Sequence, residues 1–154
     1  MPARVPPALA ETLAEVAARM GGARDPWWIV GSAAVVLRGA ATEVADVDLL
    51  VSEADARALL SAGGVKSRPG ARSARFRSAV FGTLEGAPLP IEVMGGLALN
   101  EDGVWAPLRL ETRERHCLGP SVLWVPARAE LIALLRRFGR EKDVARAALL
   151  EALA

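Results

Sequence analysis

Trp27-Trp28-Ile29-Val30-Gly31-Ser32-Ala33-Ala34, followed after a short helical stretch by Asp46-Val47-Asp48-Leu49-Leu50-Val51, decides how this chain folds. The first segment reads as a strand that turns at Gly31-Ser32 into a helix, and the second as another strand. Strand side chains alternate between faces, so Asp46 and Asp48 point one way while Val47, Leu49 and Val51 point the other way, into a core. Two carboxylates so placed suit a divalent metal. A Gly-Ser turn at a helix N-terminus offers free backbone N–H groups and the positive end of the helix dipole, which suit a phosphate. Small Ala33 and Ala34 let that helix start lie close to the strand. Together these devices describe a site for a metal and a triphosphate.

Working outward, a Gly-Ser pair, an apolar helix and an Asp-x-Asp strand in this order resemble the nucleotidyltransferase superfamily of DNA polymerase beta, in which a third acidic strand completes the site. The resemblance implies that Glu92 supplies the third carboxylate. It lies in Leu89-Pro90-Ile91-Glu92-Val93-Met94, where Leu89, Ile91 and Val93 alternate against an outward Glu92. The family more often carries Asp there, and the longer side chain sets a metal about one bond further from the strand. By motif the likeness runs from Trp27 to Val93.

It further implies an α/β (α+β) fold with a mixed sheet flanked by helices and followed by C-terminal helices. Asp46, Asp48 and Glu92 are then the catalytic, Mg²⁺-holding residues, and Gly31 and Ser32 receive the phosphates of an NTP. The reaction implied moves a nucleoside monophosphate to a hydroxyl of a small molecule or a partner protein and releases pyrophosphate, with Glu92 helping to deprotonate that hydroxyl. Small chains of this kind include antibiotic-modifying enzymes and toxin–antitoxin proteins. A catalytically inert binding module or antitoxin is the alternative, and the Glu at the third acidic position favours it. A bare βαβ unit, with Gly31-Ser32 a tight turn and the aspartates capping a loop, competes at the level of fold but leaves the third outward carboxylate unexplained.

Composition narrows the partners. The chain has 154 residues, of which 52% are hydrophobic and 24% charged, enough for one domain with a respectable core. That domain is expected over 1–154, with a core at about 8–125 and a helical part at about 127–154. A formal net charge of +1 gives no footprint for extended nucleic acid. No run approaches the roughly 20 apolar residues that span a bilayer, and no signal-peptide pattern opens the chain, so a cytoplasmic location is expected without membrane contact. Cys117 is the single cysteine, which excludes an internal disulfide, and it reads as a small buried hydrophobe. Nothing in the sequence sets the oligomeric state.

Along the chain, Leu9, Leu13, Val16, Ala17 and Met20 recur at helical spacing up to Gly21-Gly22. Ala33 to Arg38 form the helix after the Gly-Ser turn. Ser52 is placed to cap a helix over Glu53 to Ala62, with Asp55 at the capping-box position. Ser78 to Leu84 and Leu89 to Met94 read as a hairpin around Gly86-Ala87-Pro88, and Gly95-Gly96 is expected to open an irregular region reaching Arg109. Val122 to Val125 is a short strand.

Leu131, Ile132, Leu134, Leu135 and Phe138 form the apolar face of a helix ended by Gly139. A last helix over Lys142 to Leu153 is expected to turn Val144, Ala148, Leu149 and Leu153 inward. Between these helices, Arg140-Glu141-Lys142-Asp143 is similar to the Arg-x-Lys-Asp segment of several small nucleotidyltransferase families. This implies that Lys142 approaches the nucleotide phosphates while Asp143 caps the helix or orients it.

Other features have more than one reading. Five cations lie between Lys66 and Arg77; they either guard a solvated strand edge or send Arg72, Arg75 or Arg77 to a triphosphate. Trp27 and Trp28 read as core and cover of the first strand, and His116 as structural rather than a ligand. Trp105, in a Gly/Pro-rich stretch, is a candidate for stacking on a base. With no tyrosine and only 5% aromatic residues, an extended base-stacking platform is not expected.

Overall fold

The computed structural model describes residues 4–70 and 73–153. Its first helix, α1 (Pro7–Arg19), starts on a proline, whose missing N–H costs nothing in a first turn. Leu9, Thr12, Leu13 and Val16 form its buried stripe, spaced i, i+3, i+4, i+7. The hydroxyl of Thr12 donates to the Ala8 carbonyl at 2.8 Å and accepts the Leu89 N–H at 3.0 Å. A buried polar residue is thereby satisfied and pins the chain just ahead of the Glu92 strand.

A 3₁₀ turn at Met20–Gly22 leads to β1 (Trp28–Val30), α2 (Gly31–Leu37), β2 (Val47–Val51) and α3 (Glu53–Ala62). Then come β3 (Phe76–Leu84), β4 (Ile91–Glu101) and β5 (Val104–Pro107). The hairpin β6 (Glu114–Leu118) and β7 (Ser121–Val125) precedes α4 (Arg128–Phe138) and α5 (Glu141–Glu151). The main sheet runs β1-β2-β4-β3, with β5 added on β4. β2 and β4 are parallel and the other pairs antiparallel, so the sheet is mixed, as the resemblance implies. The crossover from β2 to β4 passes through α3 and β3.

Two apolar clusters sandwich the sheet. Leu9, Leu13, Val47, Leu49, Leu60, Ile91 and Val93 belong to the larger one. Val30, Leu50, Leu97, Leu99, Leu134 and Phe138 belong to the other. Trp27 is buried, whereas Trp28 is half-buried and donates its indole N–H to the Thr112 carbonyl at 2.8 Å.

The Gly95-Gly96 pair does not end its strand. β4 continues through both residues to Glu101, and β5 and β4 pair where an irregular region was expected. A Cβ on Gly95 would stand 2.5 Å from the Ala56 Cβ, so the first glycine lets α3 press onto the sheet. Gly96 has φ +63°, a conformation that favours glycine, and it turns the strand over. Ile91 and Val93 therefore join one cluster, while Leu97 and Leu99 join the other.

Further expectations are revised. Helix α2 begins at Gly31 rather than Ala33. Ser52 caps α3 by accepting the Asp55 N–H, but no capping box closes. The Asp55 carboxylate instead takes the N–H groups of Arg24 and Asp25, fastening the loop before β1. Cys117 is exposed on β6 rather than buried. On α5 the buried residues are Asp143, Ala147 and Leu150, whereas Val144 and Leu149 are exposed. Hydrophobicity misassigned that face because its first inward residue is an aspartate.

Candidate active site

Strand register assembles the acidic residues. In the parallel β2–β4 pair Asp48 stands opposite Glu92, and in the β1–β2 pair it stands opposite Val30. Asp46 precedes β2 by one residue, and each of Asp46, Asp48 and Glu92 offers a carboxylate oxygen within 4.8 Å of the others. All three line a cavity of about 290 Å³ together with Gly31, Ser32 and Lys142, so it contains every residue singled out as catalytic or nucleotide-binding.

The metal fits this donor set. Three hard oxygen ligands, no sulfur and an open cavity suit Mg²⁺ better than zinc. Electrostatics agree, because like charges held this close resist ionisation. Burial, then the charges of Asp46 and Glu92, push the Asp48 carboxyl well above its ordinary value. Glu92 is raised too, by burial and then by Asp46.

Gly31 is indispensable to this geometry for two reasons. Its φ is +66°, and a Cβ there would fall 2.3 Å from Asp48 Oδ2. The backbone thus runs against the carboxylate, and as the first residue of α2 it leaves its N–H without a helical partner. Gly31→Ala is expected to displace Asp48 and to weaken Mg²⁺ binding, measured by calorimetry, by tenfold or more; unchanged affinity would show that the close approach is dispensable.

The same cavity is also lined by Arg140, Lys142 and Arg146. Sequence reasoning chose Lys142 and passed over the two arginines. Asp143 caps α5 by accepting the Arg140 backbone N–H, the first of its two expected roles, but the side chain it orients is that of Arg140 and not of Lys142. Asp143 is buried and accepts from Arg140 Nε at 2.6 Å, Nη2 at 3.1 Å and the backbone N–H at 3.3 Å. Asp143 occupies the Nε–Nη2 edge and holds the guanidinium rigid, which leaves its Nη1 group and the second Nη2 N–H for an anion. The Arg140 guanidinium also lies 5.2 Å from the centre of the Phe76 ring, which packs on Phe138 with ring centres 5.1 Å apart. The first turn of α5 borders the cavity, adding the positive end of its dipole. The Arg-x-Lys-Asp spacing was the available signal for Arg140; Arg146, one turn beyond Lys142, becomes legible only when the helix is phased correctly.

The other basic candidates go elsewhere. Arg75 Nη1 donates to the Phe138 carbonyl at 3.2 Å, closing the C-terminus of α4 beside left-handed Gly139. Arg77 stacks on Trp105, 4.4 Å from the ring centre. Arg72 lies outside the described residues. Trp105 pairs with Asn100, eight residues along β4 from Glu92 or roughly 26 Å, which is too far to stack on a base at the carboxylates. His116 sits half-buried opposite Leu123 in the β6–β7 hairpin, its basicity lowered by burial and then by Arg38. It does not border the acidic cavity.

No protein-family model and no curated protein matches the chain. Solved structures do. A candidate nucleotidyltransferase from Thermotoga maritima superposes with a TM-score of 0.77 at 21% identity, covering 96% of this chain and 93% of that one. The antibiotic-resistance factor ANT(2'')-Ia in solution gives 0.55 at 12% identity over 93% of this chain and 81% of its own. The crystal structure of ANT(2'')-Ia with adenylyl-2''-tobramycin gives 0.57 at 11% identity over 92% and 86%. The chain has a nucleotidyltransferase-like fold.

Proposed function

We propose that the protein is an Mg²⁺-dependent nucleotidyltransferase that moves a nucleoside monophosphate from an NTP to an acceptor hydroxyl, with the sheet core and C-terminal helices acting as one unit. The observation that carries this reading is the pairing of Asp48 with Glu92 across parallel β2 and β4, beside Asp46 and in one cavity with Arg140, Lys142 and Arg146. Carboxylates and cations lining one cavity match a metal-bound triphosphate, whose oxygens need both.

Asp46, Asp48 and Glu92 would hold Mg²⁺, which when bound supplies positive charge next to the phosphates. Gly31 and Ser32 offer backbone N–H groups to the phosphate chain. Arg140 and Lys142 neutralise the β- and γ-phosphates and so ease departure of pyrophosphate. The acceptor oxygen bonds to the α-phosphorus as the bond to the bridging oxygen breaks. Glu92, the carboxylate of the third acidic strand, would stand beside the attacking hydroxyl and accept its proton. The complex of ANT(2'')-Ia with adenylyl-2''-tobramycin supports a small-molecule acceptor, while a partner protein is the other acceptor class that the resemblance implies.

Calorimetric titration with each of the four NTPs, with and without Mg²⁺, tests the reading. Binding of at least one NTP that needs both Mg²⁺ and Asp46 is expected. If no nucleotide binds, or Asp46→Asn binds as well as the parent, the fold is an inert scaffold and the proposal fails.

A further inference from the structure

Arg75 stands outside the carboxylate cavity, yet it holds the corner from which Arg140 is presented. Helix α4 ends at Phe138, Gly139 turns the chain in the left-handed region, and Arg140 caps α5. As the last residue of α4, Phe138 has a carbonyl without a helical partner, and Arg75 Nη1 donates to it at 3.2 Å. A Cβ on Gly139 would collide with that same Nη1, so the guanidinium lies against the backbone of the corner. The next residue, Phe76, packs its ring on Phe138 and carries the Arg140 guanidinium above it. Residues 75 and 76 thus grip the chain on both sides of Gly139.

The grip has a fixed base. Ser73 Oγ accepts the N–H groups of Arg75 and Phe76. Asn100 of β4 donates its backbone N–H to the Arg75 carbonyl at 2.7 Å and its side-chain amide to the Ala74 carbonyl at 2.9 Å. Arg137, one residue before the end of α4, donates through Nε to Glu101 at 2.8 Å. Beyond the corner, Ala147 and Leu150 anchor α5 in the larger apolar cluster, so loosening the corner displaces Arg140 before the rest of the helix. Resting on the nucleotidyltransferase reading, we infer that Arg75 is a positioning residue for phosphate binding: it holds the α4–α5 corner on the sheet so that Arg140 meets the nucleotide, which Arg75 itself does not touch. Phe76, Phe138 and Arg140 all line the carboxylate cavity. Arg75 is exposed, so its removal opens no core.

A binding cycle tests the route through Arg140. By calorimetry with Mg²⁺ and an NTP that binds the parent, Arg75→Ala is expected to bind about tenfold more weakly, because a slightly misplaced group loses much of its effect. Arg75→Lys is expected to recover most of the loss, since its ammonium can donate to the same carbonyl. In an Arg140→Ala background, Arg75→Ala is expected to change affinity by less than about twofold, because residues that act through one contact do not add. Equal losses in both backgrounds, or no loss in either, overturn the inference.

A second measurement needs no nucleotide. The Arg140 Nε–H is bonded to buried Asp143 at 2.6 Å, and its hydrogen exchange, followed by nuclear magnetic resonance, is expected to quicken about tenfold or more in Arg75→Ala. The Arg113 Nε–H, bonded to the Trp27 carbonyl at 3.1 Å, is expected to keep the parent's rate. Unchanged exchange at Arg140, or equal acceleration at both arginines, means that Arg75 only stabilises the fold and overturns the inference. Selective acceleration at Arg140 in a protein whose parent binds no NTP overturns the nucleotidyltransferase reading instead.

Discussion

Asp48→Asn is expected to lower NTP-dependent transfer roughly 10³-fold or more and, in metal-free buffer at pH 7, to raise the melting temperature. The activity loss follows from removing a ligand whose metal supplies several kcal/mol of transition-state stabilisation, since each 1.36 kcal/mol is a factor of ten. The stability gain has the opposite origin. Asp48 is buried beside two other carboxylates, and its folded carboxyl lies well above the ordinary value. The native state therefore holds protons that the unfolded chain has already released. Stability then falls as pH rises from the ordinary carboxylate value through the raised one.

An uncharged Asn removes that penalty. For a chain of this size, relief of about 1 kcal/mol corresponds to about 2–4 °C. Thermal melts of both proteins across pH 4–8, with and without Mg²⁺, check the sign. The parent is expected to gain stability from Mg²⁺ at pH 7 and much less at pH 4, where protons compete for the same oxygens, while the variant gains little at either. A variant that melts lower than the metal-free parent at pH 7 would refute the idea that the cluster stores repulsion.

Arg140→Ala is expected to lower kcat/KM for the NTP about 10²-fold, at the lower edge of what loss of one preorganised charge-stabilising donor costs. Arg140→Lys is expected to recover only part, because an ammonium cannot reproduce the two-pronged bond to Asp143. Removing the guanidinium also leaves Asp143 buried with only a backbone N–H from residue 140, so stability drops as well. Measuring NTP affinity on the folded fraction separates the two effects. If Arg140→Ala keeps the parent's kcat/KM once corrected for that fraction, Arg140 is an anchor of α5 and Lys142 with Arg146 carries the phosphates.

The sequence was most informative where local rules and chemistry coincide. Gly31-Ser32 before an apolar helix, and Asp46 and Asp48 on the polar face of an apolar strand, need no knowledge of distant residues. Glu92 was legible because the resemblance calls for a third acidic strand and the alternation of Ile91 and Val93 turns Glu92 outward. The readings failed where a long-range contact overrode the local signal. Gly95-Gly96 reads as a break, yet α3 requires the first glycine and the second rotates the strand so that Leu97 and Leu99 can face a different cluster. Asp143 reads as a cap or as the partner of Lys142, yet it is buried with its carboxylate on Arg140, which sets the phase of α5. Trp105 reads as free, yet Arg77 already covers its ring.

By itself, then, the sequence determined the alternation that sorts carboxylates from core, the Gly31-Ser32 turn that opens α2, and a composition without the basic excess for extended nucleic acid. Tertiary structure alone decided the β2–β4 register that sets Glu92 against Asp48, the helix phase that brings Arg140 and Arg146 into the same cavity, and an apolar groove between Leu9 and Val44. The reason is physical: alternation and turn preference act over a few residues, whereas register, helix phase and cavities are fixed by packing between segments dozens of residues apart.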